Sequence, residues 1–246
     1  MPRPFFIAVL ASFKGNNKMT TQPYSVFYKV GRGWLMLAAA LLLGGCGSSN
    51  PPPKTEAATI LPQAKAISAF TLSRGPEKTF DDENLKGRWS LFFFGYTRCP
   101  DVCPTELFTL AETLRKIEEK SDTAQEKPQV VFVSVDPQQD QPEAVQKYVS
   151  FYHPEFIGVT GEQVAVDKLA RSMGAIYERA YFLNGKALIF DPEEGAPEGL
   201  ENSYLINHSA TIFLVNPEGK LHAVFSSPHM SDTIMKDLAA IQQSWG

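Results

Sequence analysis

The chain of 246 residues has few cysteines, few histidines and no long apolar run. Only three cysteines occur, which excludes a small scaffold held together by many disulfides. The longest apolar stretch, residues 34–43, is well short of the ~20 residues that a helix needs to cross a bilayer. The sequence therefore predicts one globular core of ordinary size with appendages, and no polytopic membrane protein.

Basic residues are scarce after residue 45. Residues 1–45 hold five basic and no acidic residues, so the remainder holds 18 basic against 27 acidic residues, a formal charge of −9. Affinity for nucleic acid depends on lysine and arginine side chains that neutralise phosphate. We therefore expect no nucleic-acid partner.

Residues 29–46 have the order of an export signal. Lys29 and Arg32 precede the apolar run 34–43, which ends in Gly44-Gly45-Cys46. This ending resembles the lipobox of bacterial lipoproteins, which predicts cleavage before Cys46 and lipidation of that cysteine. The alternative is an uncleaved signal anchor with an incidental cysteine. In both cases we expect a domain tethered to a membrane of the bacterial cell envelope, on the periplasmic side.

Three segments follow from this pattern. Residues 1–45 are predicted to be a lipoprotein signal peptide, with Met19 as an alternative start because about 30 residues before the apolar run is unusually long. Residues 46–65, with three prolines at 51–53, are predicted to be a flexible linker. Residues 66–246 are predicted to form one folded domain.

The predicted domain alternates strand and helix patterns. Strands are expected at 89–94, 130–135 and 156–160, helices at 104–120, 142–152 and 162–173, then a hairpin of 211–215 with 221–226 and a last helix capped by Ser231. This order predicts an α/β protein with a thioredoxin-like fold: a central mixed sheet with helices on both faces. The pair Asn184-Gly185 predicts a β-hairpin inserted before the loop that carries His208.

Cys99 and Cys103 follow the first buried strand in the motif Cys-Pro-Asp-Val-Cys-Pro. Pro104 disfavours helical geometry at Cys103, so Cys103 is predicted to be the N-cap of the next helix. Near a helix N-terminus the dipole favours thiolate over thiol, and thiolate both attacks disulfides and binds soft metals. The motif therefore predicts a reactive pair.

Other interpretations of the pair are weaker or stay open. A structural disulfide that closes so short a loop would stabilise the fold little. A structural zinc site lacks a fourth ligand nearby in the sequence. A redox pair that works without metal remains an alternative.

His208 stands directly before the predicted strand at 211–215. A single histidine beside a strand is more often a hydrogen-bonded core residue. In the predicted fold, however, this loop faces the cysteines, and two thiolates with one imidazole make a three-coordinate site acceptable to both copper(I) and copper(II).

The other histidines are expected outside the site. His153 follows a helix, whose C-terminal dipole would favour its charge. His222 is expected to face solvent, and His229 to lie in a surface loop.

The cysteine motif, Val135-Asp136-Pro137 and a histidine before a Ser-Ala-Thr strand together resemble the Sco/SenC family over roughly residues 66–245. The resemblance implies a copper metallochaperone with thiol-disulfide capability, in which Cys99, Cys103 and His208 match the three copper ligands and the two cysteines form the redox pair. It also implies partners: a copper donor protein and the copper-centre subunit of cytochrome c oxidase, whose dinuclear centre such proteins help to assemble. A monomer is expected.

Two departures and one rival accompany this resemblance. Asn207 stands where an aspartate is common, and residues 175–207 are longer than expected. The rival is a copper-independent, membrane-anchored thiol-disulfide oxidoreductase. Against it, the cysteines are spaced CxxxC rather than CxxC, and Tyr96 stands where a peroxiredoxin-type site has threonine.

Overall fold

The computed structural model describes residues 52–120, 127–183, 186–190, 199–200 and 203–245. The strands of this part are β1 Ala58–Ala66, β2 Thr71–Gly75, β3 Lys78–Asp81, β4 Ser90–Gly95, β5 Gln129–Ser134, β6 Ile157–Val159, β7 Tyr177–Leu183, β8 Lys186–Phe190, β9 Tyr204–His208, β10 Ile212–Val215 and β11 Lys220–Phe225. The helices are α1 Val102–Lys120, α2 Pro142–Ser150, α3 Gln163–Met173 and α4 Ser231–Ser244. Within the described residues, none of the helices has the length and apolarity needed to span a membrane.

Six strands form the central sheet in the order β1-β11-β10-β4-β5-β6. β4, β5 and β6 run parallel, whereas β10, β11 and β1 are each antiparallel to the neighbour that they join. Every residue of β4 is buried, as expected of a central strand that is covered on both faces. The predicted α/β fold with a central mixed sheet is therefore confirmed.

Most predicted elements of the central domain lie within two residues of their observed ends. Gly174, with φ of +87°, ends α3 in the left-handed conformation, as the sequence predicts. Ser231 does not cap α4: the N-cap is Met230, and its side chain makes no capping bond. The Ser231 hydroxyl instead accepts a hydrogen bond from Lys116 of α1, so packing between α1 and α4 overrides the capping role.

A separate three-stranded sheet has the order β8-β7-β9. β7 and β8 pair antiparallel on either side of residues 184–185, so the predicted inserted hairpin is present. His208 is the last residue of β9, opposite Tyr177 of β7, and not part of a loop. β9 pairs with β7, which lies far upstream in the sequence, so the local pattern of residues did not predict this short strand. Most of residues 191–202, the acidic segment after this hairpin, lies outside the described residues.

The predicted flexible linker is wrong for residues 58–65, because β1 places them in the central sheet beside β11. The backbone N–H groups of Glu56, Ala57 and Ala58 all donate to the carboxylate of Asp237 in α4, each at 2.8 Å. Pro62 argues against a strand in the sequence pattern, but a proline is tolerated here because β1 is an edge strand. The predicted signal peptide, Met19 and Cys46 lie outside the described residues.

Candidate metal centre

Both cysteines lie where β4 passes into α1. α1 begins at Val102, so Cys103 is inside the first turn and the predicted N-cap at Cys103 is wrong by two residues. Pro104 is tolerated in that turn because its missing N–H has no intrahelical partner to lose. The N–H of Cys103 donates to the Sγ of Cys99 over 3.5 Å, so the helix start faces the first sulfur.

Gly95, the last residue of β4, leaves the space that the second sulfur occupies. A Cβ at this position would lie 2.5 Å from the Sγ of Cys103 and 2.9 Å from the ring of Phe132. Real Cβ contacts are essentially never that short. The glycine is therefore required by the close approach of Cys103 and not by a turn.

A buried carboxylate fixes the loop between the strand and the helix. Asp140 is 1% exposed and accepts hydrogen bonds from the N–H and hydroxyl of Thr97 and from the hydroxyl of Ser134. It thereby ties the cysteine loop to the end of β5. Sequence reasoning missed Asp140, although a second acidic residue four positions after Asp136 was a signal that could have found it.

His208 completes the site from the small sheet. Its Nε2 lies 3.7 Å from the Sγ of Cys99 and 3.3 Å from the Sγ of Cys103, and the three atoms all lie within 4.8 Å of one another. The Nδ1 lies 3.2 Å from the carbonyl oxygen of Ser209, which can only accept, so Nδ1 carries the proton. With Nδ1 held by this bond, Nε2 is the ring atom that faces both sulfurs and can bind a metal.

Aromatic rings surround the imidazole. Phe93 and Tyr96 meet His208 edge to face, with ring centroids 5.9 and 6.0 Å away. Cys103 is fully buried, Cys99 is 9% exposed and His208 is half-buried. Cys99 and His208 are therefore the more accessible of the three side chains.

The two thiols differ sharply in acidity. The hydrogen bond from the Cys103 thiol is the largest cause that lowers the pKa of Cys99, to about 3, and it prevails over the opposing effect of burial. The same bond to Cys99, together with burial, raises the pKa of Cys103. The pair therefore holds one negative charge on Cys99 and one proton on Cys103 until a cation or a reaction removes that proton.

The donor set fits a soft, low-coordinate metal. Two sulfurs and one imidazole are the ligands that favour copper, whereas a structural zinc site would need a fourth ligand. Within the described residues, this is the one group of three or more such side chains with converging ligand atoms.

Two other histidines differ from their predictions. His153 is 6% exposed, its Nδ1 accepts a hydrogen bond from the N–H of Glu155, and burial, the largest cause, lowers its pKa, which disfavours the predicted charge at a helix end. His222 does not face solvent: its ring packs edge to face between Trp89 and Trp245, with centroids 5.4 and 5.2 Å away. Trp245 comes from the C-terminal end of the described chain, a contact that strand alternation cannot predict.

The side chain of His229 is buried and does not face solvent as predicted. Its Nδ1 lies 2.7 Å from the carboxylate of Glu106 in α1, and its Nε2 lies 3.1 Å from the carbonyl oxygen of Phe225. Since both partners accept, the doubly protonated ring satisfies both bonds. This buried ion pair joins α1 to the segment before α4, and it lies apart from the metal-binding atoms.

The chain is similar in sequence to proteins that already have names. A protein of Stutzerimonas stutzeri, provisionally named a copper-binding protein, is 32% identical over 182 residues, which are 74% of this chain and 79% of that protein. The mitochondrial SCO1 homolog 1 of Arabidopsis thaliana is 34% identical over 176 residues, 69% of this chain and 46% of that protein, so the chain spans about half the length of this mitochondrial relative.

The fold is similar to that of a solved structure. The crystal structure of Arabidopsis thaliana ScoI with copper bound superposes with a TM-score of 0.59 at 31% identity, over 72% of this chain and 98% of that one. The sequence model of the SCO1/SenC family matches residues 58–243, from the first strand to the last helix. This chain therefore belongs to the SCO1/SenC family.

Proposed function

We propose that this chain is a copper-binding metallochaperone that works outside the cytoplasm, lipid-anchored through Cys46, and assists assembly of the dinuclear copper centre of cytochrome c oxidase. Thiol-disulfide exchange is its linked second activity. The observation that carries the proposal is the convergence of the sulfurs of Cys99 and Cys103 and the Nε2 of His208 within 4.8 Å. Membership of a family with a copper-bound solved structure supports the choice of metal.

The site suits transfer of copper rather than permanent storage. Binding to both thiolates releases the proton of Cys103, so affinity depends on pH and on the redox state of the pair. With three protein ligands, the ion leaves room for ligands of the copper donor protein or of the copper-centre subunit. Those ligands can then displace Cys99, His208 and Cys103 one at a time.

The exchange activity follows from the unequal thiols. The Cys99 thiolate attacks one sulfur of a partner disulfide, a mixed disulfide forms, and the partner's other sulfur leaves as a thiolate. That thiolate takes the Cys103 proton, and Cys103 then attacks the Cys99 sulfur and releases the second partner sulfur as a thiolate, which takes a proton from water. The partner is reduced by two electrons and a Cys99–Cys103 disulfide remains, which cannot bind copper(I).

A copper titration tests the proposal. We would use the reduced chain with Cys46→Ala, so that only Cys99 and Cys103 supply thiolates, and expect one tightly bound copper per chain. The double variant Cys99→Ser/Cys103→Ser serves as the control and should bind none. Equal binding by parent and double variant would overturn the proposed site.

The low pKa of Cys99 also favours the rival function, a copper-independent oxidoreductase. The same protein should therefore be assayed for reduction of a protein disulfide. Disulfide reduction without tight copper binding would establish the rival in place of the metallochaperone.

The anchor has its own test. Mass spectrometry of the mature protein should find an N-terminal, lipid-modified Cys46, and Cys46→Ala should leave the precursor unprocessed. Any other mature N-terminus would contradict the proposed lipid anchor.

A further inference from the structure

A second polar cluster lies beside the candidate metal centre, and it joins three parts of the fold. Asp136, which follows β5 and is fully buried, accepts hydrogen bonds from Arg98 at 3.0 Å and from the hydroxyl of Tyr204 at 2.5 Å. Arg179 approaches the same carboxylate at 3.7 Å. Arg98 belongs to the cysteine loop, Arg179 to β7 and Tyr204 to the start of β9. We call these four residues the Asp136 cluster.

Several interactions act on the Tyr204 side chain. The guanidinium groups of Arg98 and Arg179 lie over its ring, 5.3 and 4.9 Å from the centroid, where the ring attracts cations. Burial, the largest cause, and the bond to Asp136 raise the pKa of Tyr204, so its hydroxyl remains a donor. A buried carboxylate such as Asp136 is costly without partners, which makes the cluster a strong restraint on both arginines and on Tyr204.

The register of β9 connects this cluster to the metal centre. Tyr204 and Ile206 are buried while Leu205 is exposed, so Tyr204, Ile206 and His208 share the inward face of one strand. The cysteine loop runs beside that face: Arg98 contacts Tyr204, and its neighbour Cys99 contacts His208. The cluster and the metal centre are therefore two junctions between the same loop and the same strand.

The junctions are needed because the sheet that carries His208 is separate. Within the described residues, no strand of β8-β7-β9 pairs with a strand of the central sheet. Side-chain contacts, together with the short chain link from His208 to Ile212 of β10, therefore set the position of His208 relative to the two sulfurs. Buried hydrogen bonds cross from β9 to the rest of the domain, one from the hydroxyl of Tyr204 to Asp136 and one between the hydroxyl of Tyr96 and the backbone of Ile206.

We propose that the Asp136 cluster positions His208, and that Tyr204 and Arg179 thereby tune the affinity for copper(II) relative to copper(I). Copper(I) is satisfied by soft thiolates, whereas copper(II) depends more on the imidazole. A displaced β9 therefore weakens copper(II) binding and leaves the thiolate site intact. This inference rests on the proposed copper function.

The test compares Tyr204→Phe with Tyr177→Phe in the reduced Cys46→Ala chain. Each removes a hydroxyl of the small sheet that bonds a carboxylate, buried in Tyr204 and partly buried in Tyr177, but the Tyr177 partner is Asp167 of α3, away from the cysteine loop. Tyr204→Phe should weaken copper(II) binding about 10–100-fold, as loss of a group that orients a ligand does. The reduction potential of the bound copper then rises by about 59 mV per tenfold. Copper(I) affinity should stay at the parent value, and Tyr177→Phe should change neither affinity.

A measurement without copper supports the comparison. Hydrogen exchange of the β9 amides should be faster in Tyr204→Phe than in the parent, while exchange in β4 and β5 stays the same. Arg179→Gln, a milder change in the same cluster, should shift the copper(II) affinity in the same direction and keeps the test available if Tyr204→Phe does not fold.

The outcomes separate the two ideas. A parent that binds no copper would overturn the proposed function and this inference together. A parent that binds copper, with unchanged copper(II) affinity in both cluster variants, would overturn this inference alone. Equal weakening of copper(I) and copper(II) would also overturn it, since that pattern indicates general damage to the site.

Discussion

The two cysteines and the histidine of the candidate centre rest on different kinds of support. Cys99 and Cys103 follow β4, which is buried along its whole length between parallel and antiparallel neighbours. His208 ends a strand of a small separate sheet, whose other face leaves Phe182 and Leu205 almost half exposed. The soft ligands are therefore positioned by the buried central sheet, whereas the position of the imidazole depends on contacts between two sheets.

The largest expected effect on copper binding comes from substitution of the two cysteines. Cys99→Ser and Cys103→Ser should each lower copper(I) affinity by several orders of magnitude, because a hydroxyl is a poor ligand for a soft ion. Competition with a copper(I) chelator measures the loss. A Cys103→Ser variant with parent affinity would show that the buried sulfur is not a ligand and would break the comparison.

Loss of the imidazole should have a more selective effect. Loss of a residue that only orients a ligand weakens metal binding about 10–100-fold. We expect His208→Ala, which removes the ligand itself, to weaken copper(II) binding by more than this and copper(I) binding by much less. Electron paramagnetic resonance of the copper(II) protein should lose its nitrogen coupling. His153→Ala is the matched control, and it should leave the copper spectrum unchanged.

The stability of the domain that holds the cysteines should also depend on pH, through the buried pair of His229 and Glu106. Burial alone lowers the pKa of His229, but the bonds to Glu106 and to the carbonyl of Phe225 outweigh it and raise the pKa. A raised folded pKa means that the pair stabilises the fold fully below pH ~6.5, and that this contribution is lost as pH rises through the folded pKa.

Glu106→Gln tests this pair. Because the buried imidazole loses its charge-assisted hydrogen bond and gives up its proton, we expect the free energy of unfolding to fall by about 1.5–3 kcal/mol just below pH ~6.5. Denaturant unfolding at several pH values measures both effects, and the difference between parent and variant should shrink above the folded pKa of His229. A constant difference across pH would contradict the assignment of an ion pair.

The smallest expected effect is steric. Gly95→Ala places a methyl group against the Sγ of Cys103, so we expect about 1–3 kcal/mol of destabilisation from overpacking and weaker copper binding. Gly161→Ala is the control, because its methyl group would meet the flexible end of Leu72 at 3.1 Å, far along the chain from the cysteines. If Gly95→Ala keeps parent copper affinity, Cys103 has more freedom than the buried strand suggests.

The sequence alone was sufficient for features with local causes. Short apolar runs predicted the buried strands, Gly174 predicted the end of α3, and Asn184-Gly185 predicted the hairpin, since each depends on neighbours within a few residues. The juxtaposition of two cysteines with His208 followed from motif spacing and family resemblance. Periodicity alone would not have predicted it.

Other features required the tertiary structure, because their partners are distant in the chain. Pairing with β11 makes residues 58–66 a strand in spite of Pro62, and contacts with α1 bury His229 and engage Ser231. Local sequence patterns cannot predict such contacts between distant residues. Likewise, the sequence determines the types of ligand. The distance between the imidazole and the sulfurs depends on how β9 packs against the cysteine loop, because only folding brings Asp136 and Tyr204 together.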